Sequence, residues 1–306
     1  MRQVIWAWFT AVVPYGERST HTQTSRWCRG TSLSALVLGC LMVWGMVAWA
    51  QQRTMPPTPG AEVPRLQGQL TVFTAASLTD AFQEIAATLE QGNPGTKVTF
   101  NFAGSPTLRT QLAQGARADV FASADEPNMQ GAQQDGTIAG ESRIFARNLL
   151  VVIVPAANPA GIATLQDLAR AGIKLILARK EVPVGNYARQ SLDKMSQDTA
   201  FSRDFATRVL ANLVSEEPNV KQVVTKVQLG EADAGIVYAS DVTPAVRGAL
   251  QVLPIPEPLN VVARYPIAVV KDAANAAGAR AFIDYVLSPA GQAILTRHGF
   301  LAAGAS

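Results

Sequence analysis

The sequence predicts an α/β protein folded as two lobes on largely parallel sheets. Three observations carry this. Short apolar, β-branched runs alternate along the chain with helical stretches, which implies crossover connections between parallel strands. The alternation continues from residue 70 to residue 298, a length that suits two medium lobes better than one. The composition, 16% charged with 23 Gly and 18 Pro in 306 residues, fits a folded chain with many short connections rather than a disordered or coiled-coil one.

The elements follow in order. Residues 70–74 (LTVFT) form a strand. Residues 80–90 place Ala81, Ile85 and Leu89 on one helical stripe, which Gly92 ends. Residues 97–102 (KVTFNF) alternate as a strand, 108–114 form a short helix closed by Gly115, and 120–122 form another strand. The continuous apolar run 149–154 (LLVVIV) reads as a strand buried on both faces. Helices are expected over 165–171, 187–195, 200–211 and 221–229, the last ended by Gly230. Strands at 234–238 (AGIVY) and 266–270 (PIAVV) precede closing helices at 276–287 and 290–298.

The first 50 residues stand apart. Arg26 and Arg29 precede an apolar run, 33–50, that ends Ala48-Trp49-Ala50, the pattern of a secretory signal peptide. An uncleaved membrane anchor and lipidation at Cys40, in Leu38-Gly39-Cys40, are the alternatives. The Pro-rich, polar residues 51–67 read as a flexible tether. Four of the 26 basic residues and one of the 23 acids lie in the leader, leaving 22 of each sign. The basic excess is therefore the leader's, and no Lys/Arg run remains to track a nucleic acid. Both cysteines, Cys28 and Cys40, also lie there, so the mature chain has no disulfide, thiolate metal site or cysteine nucleophile.

Chemistry is expected at the turns into helices. Ser77 stands three residues before Asp80, a capping-box spacing, and Ser105 precedes Pro106 at a helix start. The turns at 182–187 (VPVGNY) and 217–220 (EPNV) lead into two further helices. Every helix start offers backbone N–H groups without intrahelical partners and a partial positive charge. Taken singly, each serine reads as an ordinary cap; several such starts, if they converge, form an anion cage without formal charge. An enzyme is not expected. Thr74-Ala75-Ala76-Ser77-Leu78 lacks the G-x-S-x-G nucleophile pattern, and the one histidine beyond the leader, His298, sits at a helix end. HExxH, paired-cysteine and EF-hand metal motifs are absent from the sequence, so no metal ligands are assigned.

At these turns the sequence strongly resembles the molybdate-binding proteins that serve bacterial ATP-driven (ABC) importers. The marks are TVFTAASLTDAFQEIA (71–86), FAGSPTLRTQL (102–112), ADVFASAD (118–125), VPVGNYA (182–188), GIVYASD (235–241) and RHGF (297–300). The resemblance implies a two-lobed, periplasmic-binding-protein-like (type II) fold with the ligand cleft between lobes. It divides the chain into lobe 1 (68–148 plus 244–306) and lobe 2 (149–243). It also implies the anion contacts: Ser77 and Ser105 through hydroxyl and N–H, Val184 and Val220 through backbone N–H, and Tyr238 through its hydroxyl. Val184 stands where many members have alanine. The implied ligand is molybdate or tungstate, with sulfate or phosphate as the alternative, and no cofactor. The implied setting is a periplasmic monomer that delivers its ion to a membrane permease. A ligand-sensing module of a regulator can share this fold, but no helix-turn-helix or basic stripe is present to accompany it.

Overall fold

The computed structural model describes residues 65–304. The expected signal peptide, the Cys40 lipidation site and nearly all of the tether lie outside the described residues. Where the tether was expected to run on to 67, the chain is already docked. Leu66 is buried, its N–H donates to Asn93 Oδ1 (2.9 Å), and its carbonyl accepts from Thr96 Oγ1 (2.9 Å).

Two sheets organise the described residues. The first has six strands: β1 (Gln69–Ala75), β2 (Lys97–Ala103), β3 (Val120–Ala122), β4 (Ile138–Asn148), β10 (Ala263–Val270) and β11 (Leu301–Ala302), in the order β11-β4-β10-β3-β1-β2. The second has five: β5 (Leu150–Pro155), β6 (Leu175–Ala178), β7 (Leu213–Glu217), β8 (Ala234–Tyr238) and β9 (Leu250–Pro254), in the order β7-β6-β8-β5-β9. The pairs β1–β2 and β1–β3 are parallel, as the alternating pattern predicts, and so are β6–β7 and β6–β8, whose strands β6 and β7 were not expected from the sequence. Strands β5 and β10 instead pair antiparallel with their neighbours.

Helices cover the sheets. Around the first sheet lie α1 (Thr79–Gly92), α2 (Ser105–Ala113), α3 (Glu126–Gln134), α8 (Ala276–Leu287) and α9 (Pro289–Arg297). The second sheet carries α4 (Pro183–Gln197), α5 (Phe205–Ala211), α6 (Val220–Gln228) and the short α7 (Pro244–Arg247). Strand alternation sorts the first lobe's core to two faces. Val72 joins Phe82, Ile85 and Phe282 in one apolar cluster, while the next residue, Phe73, joins Leu108, Leu112 and Met129 in another.

The chain passes between sheets twice. β4 runs into β5 through Leu149 alone, and β9 connects to β10 across the residues after Pro254. The second passage therefore falls later than the expected boundary at 243/244. The reason is pairing: β9 aligns against β5 from Val151↔Pro254 to Pro155↔Leu250 and so belongs to the second sheet. Asn260 clamps the two passages together, accepting from Leu150 N (3.0 Å) and donating to Leu150 O (2.9 Å).

Candidate functional site

In open α/β sheets ligands gather beyond the carboxyl ends of the parallel strands, where the following helices begin. Four helical segments begin at such ends here. β1 passes into a 3₁₀ turn, Ala76–Leu78, that leads to α1; β2 leads into α2, β6 into α4 and β7 into α6. β8 ends on Tyr238. All five residues expected to touch an anion line one small cavity. Ser77 and Ser105 reach it from the first lobe, and Val184, Val220 and Tyr238 from the second. Gly104, Ala124 and Asn219 also line it, and no lining residue carries a formal charge.

The two serines are not the caps that their spacing suggests. Neither the 3₁₀ turn nor α1 has a side-chain cap. The Ser77 hydroxyl instead meets Tyr265 Oη at 3.0 Å, and Asp80 accepts from Lys221 Nζ (2.7 Å). In α2 the N-cap is Gly104, and Ser105 is the first helical residue. Its Oγ accepts from Ala124 N (3.0 Å), which ties the loop after β3 to the cavity wall. Both serines are therefore positioned by long-range bonds and are buried.

The second lobe contributes mainly backbone. Val182 caps α4 and Pro183 opens it, so Val184 lies in the first turn, where N–H groups have no intrahelical acceptor. Val220 opens α6 behind Asn219, whose side chain accepts from Gln222 N (3.2 Å). Tyr238 is 1% exposed, and its Oη makes no hydrogen bond. Burial, followed by the nearby Tyr265 phenol, holds the Tyr238 hydroxyl protonated well above its ordinary range. A buried phenol without a partner is costly, and it faces a cavity where an acceptor would satisfy it.

The lobes touch beside the cavity. A Cβ on Gly104 would lie 2.5 Å from the carbonyl oxygen of Pro218 on the other lobe, so only glycine permits this approach. Next to it Lys221, the second residue of α6, bridges Asp80 on α1 and stands 3.7 Å from Asp241 Oδ1. Asp241 is buried and its Oδ2 accepts from Tyr238 N (3.2 Å). Burial pushes its carboxyl up to about 6 against the opposing pull of Lys221.

The residues behind the cavity were not singled out from sequence. Tyr265 on β10 and Asn148 at the end of β4 are fully buried beneath Ser77. His298, the one histidine beyond the leader, bonds Glu84 (2.7 Å).

Comparison with known proteins places this geometry in context. A family model described as bacterial extracellular solute-binding protein matches residues 70–301. The molybdate-binding protein ModA of Mycobacterium tuberculosis is 39% identical over 276 residues, covering 89% of this chain and 98% of that protein. ModA of Escherichia coli is 34% identical over 241 residues, covering 76% of this chain and 89% of that protein. The solved structure of the periplasmic molybdate-binding protein of Azotobacter vinelandii shares the fold. Its TM-score is 0.65 at 22% identity, over 76% of this chain and 98% of that one.

Proposed function

Because this chain belongs to the bacterial extracellular solute-binding proteins, we propose that it captures molybdate in the cavity between its lobes and delivers it to the membrane permease of an ABC importer. The single observation that carries this is the cavity's donor set. It combines two serines, two helix starts and a buried phenol without a partner, with no charged side chain on the wall. Buried dianions must have their lost hydration replaced. Hydrogen bonds to a charged acceptor contribute roughly 1.5–3 kcal/mol each, so several of them support an affinity beyond about −8 kcal/mol, which is sub-micromolar. Fixed dipoles also suit an ion that must leave again, and they favour a fully ionised tetrahedral anion over one that carries a proton.

In this reading Ser77 and Ser105 donate hydroxyl and N–H, Val184 and Val220 donate backbone N–H, and Tyr238 donates its hydroxyl. The protein works as a periplasmic monomer after loss of residues 1–50, binding its ion without chemistry and without a cofactor. Tungstate, of the same charge and shape, binds comparably. Calorimetric titration of the leader-free protein with molybdate, tungstate, sulfate and phosphate tests the reading. Molybdate and tungstate should compete for one sub-micromolar site, with sulfate weaker and phosphate weakest. Tighter binding of sulfate or phosphate, or none of the four, overturns it.

A further inference from the structure

We infer that Tyr265, backed by Asn148, is a positioning residue that holds the Ser77 hydroxyl and biases it to donate its proton into the cavity. This rests on the reading of the cavity as a site for a fully ionised tetrahedral anion. The direction follows from the sense of a bond chain that gives the buried Tyr265 proton an acceptor. Asn148 Oδ1 accepts from Leu149 N (3.0 Å), which fixes the amide's orientation and leaves Nδ2 facing the other way. That nitrogen only donates. Its two partners are Ser240 Oγ (2.8 Å) and Tyr265 Oη (3.4 Å). Tyr265 Oη thus accepts from Asn148, whose nitrogen cannot accept in return, and the acceptor that satisfies the Tyr265 proton is Ser77 Oγ at 3.0 Å. Ser77 Oγ then accepts from behind, and its proton is left for the cavity that it lines.

The relay is held rigidly. Tyr265 and Asn148 have no exposed surface. The Tyr265 ring is wedged edge-on among Phe145 (centroids 6.2 Å apart), Phe300 (5.5 Å) and Tyr238 (5.7 Å), which holds its Oη beside Ser77. With Ser77 biased toward donation, a protonated oxyanion that presents its O–H there meets a second proton. The relay thereby adds to discrimination against hydrogen phosphate as well as to affinity.

The test is a double-mutant cycle read by calorimetry with molybdate, with phosphate as competitor. Tyr265→Phe should weaken molybdate binding about tenfold, the scale of one charge-assisted hydrogen bond made less ready. Ser77→Ala should lose a similar factor, and the double variant little more than either single, because both changes remove the same donor. Phosphate should compete better against Tyr265→Phe than against wild type, since Ser77 then loses its bias toward donation. A purely structural role for Tyr265 would leave the losses multiplicative and the phosphate competition unchanged. Should Tyr265→Phe fail to fold, Asn148→Ser takes its place in the cycle with the same expected pattern. Unchanged molybdate affinity or multiplicative losses, in a protein whose wild type binds molybdate, overturn the relay alone. A wild type that ignores molybdate overturns the proposed function and the relay with it.

Discussion

Around the cavity the two lobes face each other with uncharged groups, whereas a few residues away they meet through formal charges. Helix α6 serves both regions. Val220, its first residue, lines the cavity, and Lys221, its second, pairs with Asp80 of the other lobe and faces buried Asp241. The difference separates recognition from closure. An ammonium group on the cavity wall would hold any anion and resist its release. Placed on the flank, with Lys221 and Asp80 side chains 30% and 42% exposed, the same charge contributes at most about 1 kcal/mol and is screened by salt. The flank biases the lobes toward each other weakly; the donors around the cavity select the ion.

Four changes break or sharpen this division, from the largest expected effect down. Gly104→Val puts a side chain where Pro218 of the other lobe approaches. Calorimetry should show binding weakened by about 3 kcal/mol, while the melting temperature barely moves, because the clash arises only when the lobes meet. Equal affinity would mean that the ligand is held without this contact.

The pH dependence of stability isolates the charged region. Asp241 holds its proton up to about 6 in the fold, against an ordinary value of 3.8. Between those values the folded state binds more protons than the unfolded one, so this group's contribution falls as pH rises through the window, by roughly 2 to 3 kcal/mol. Buried Asp125, also pushed up by burial, acts in the same direction. Glu84 and Glu90 act in the opposite direction. Hydrogen bonds from Arg297 and His298 to the first, and from Val98 N to the second, hold them below 4.5, so their stabilisation is lost as pH falls beneath that value. Urea midpoints should peak between about pH 4.5 and 6, and a flat profile would contradict the buried carboxyl.

Tyr238→Phe belongs to the uncharged region and should weaken binding by about 2 kcal/mol. Its Oη has no partner in the protein, so chemical denaturation should find stability equal or slightly raised. Loss of stability comparable to the loss of affinity would mean that the phenol serves the fold. The smallest effect on binding is expected from Lys221→Met, under about 1 kcal/mol and vanishing in high salt. A large, salt-insensitive loss would show that the cation acts on the ligand and erase the distinction between the two regions.

Much of the fold was legible because burial wrote it into the chain. The apolar runs that became β5 and β8 are buried strands, and the stripe Ala81, Ile85, Leu89 is the inner face of α1. Strand β4 escaped notice because exposed residues mask its period, as in Gly140-Glu141-Ser142-Arg143, and β9 because it is short, ends on Pro254 and exposes Val252. Helix α3 is polar and glycine-containing, yet its signal was present: Asp125 caps it by accepting from Asn128 N, and Pro127 sits in its first turn. At the site, the helix starts could be read locally from Ser, Pro and Asn. What their hydroxyls bond to could not. Ser77 finds Tyr265, 188 residues away, and Ser105 finds Ala124 instead of its own helix, so local spacing pointed to caps where tertiary contacts prevailed.

A crystal structure of the leader-free protein grown with molybdate bears most directly on the claim that uncharged donors from both lobes hold the ion. The expected result is one tetrahedral ion with oxygens about 3 Å from Ser77 Oγ, Ser105 Oγ, Tyr238 Oη and the backbone nitrogens of Val184 and Val220. An ion held instead by lysine or arginine side chains, for example in the neighbouring groove lined by Arg109 and Lys180, would contradict it.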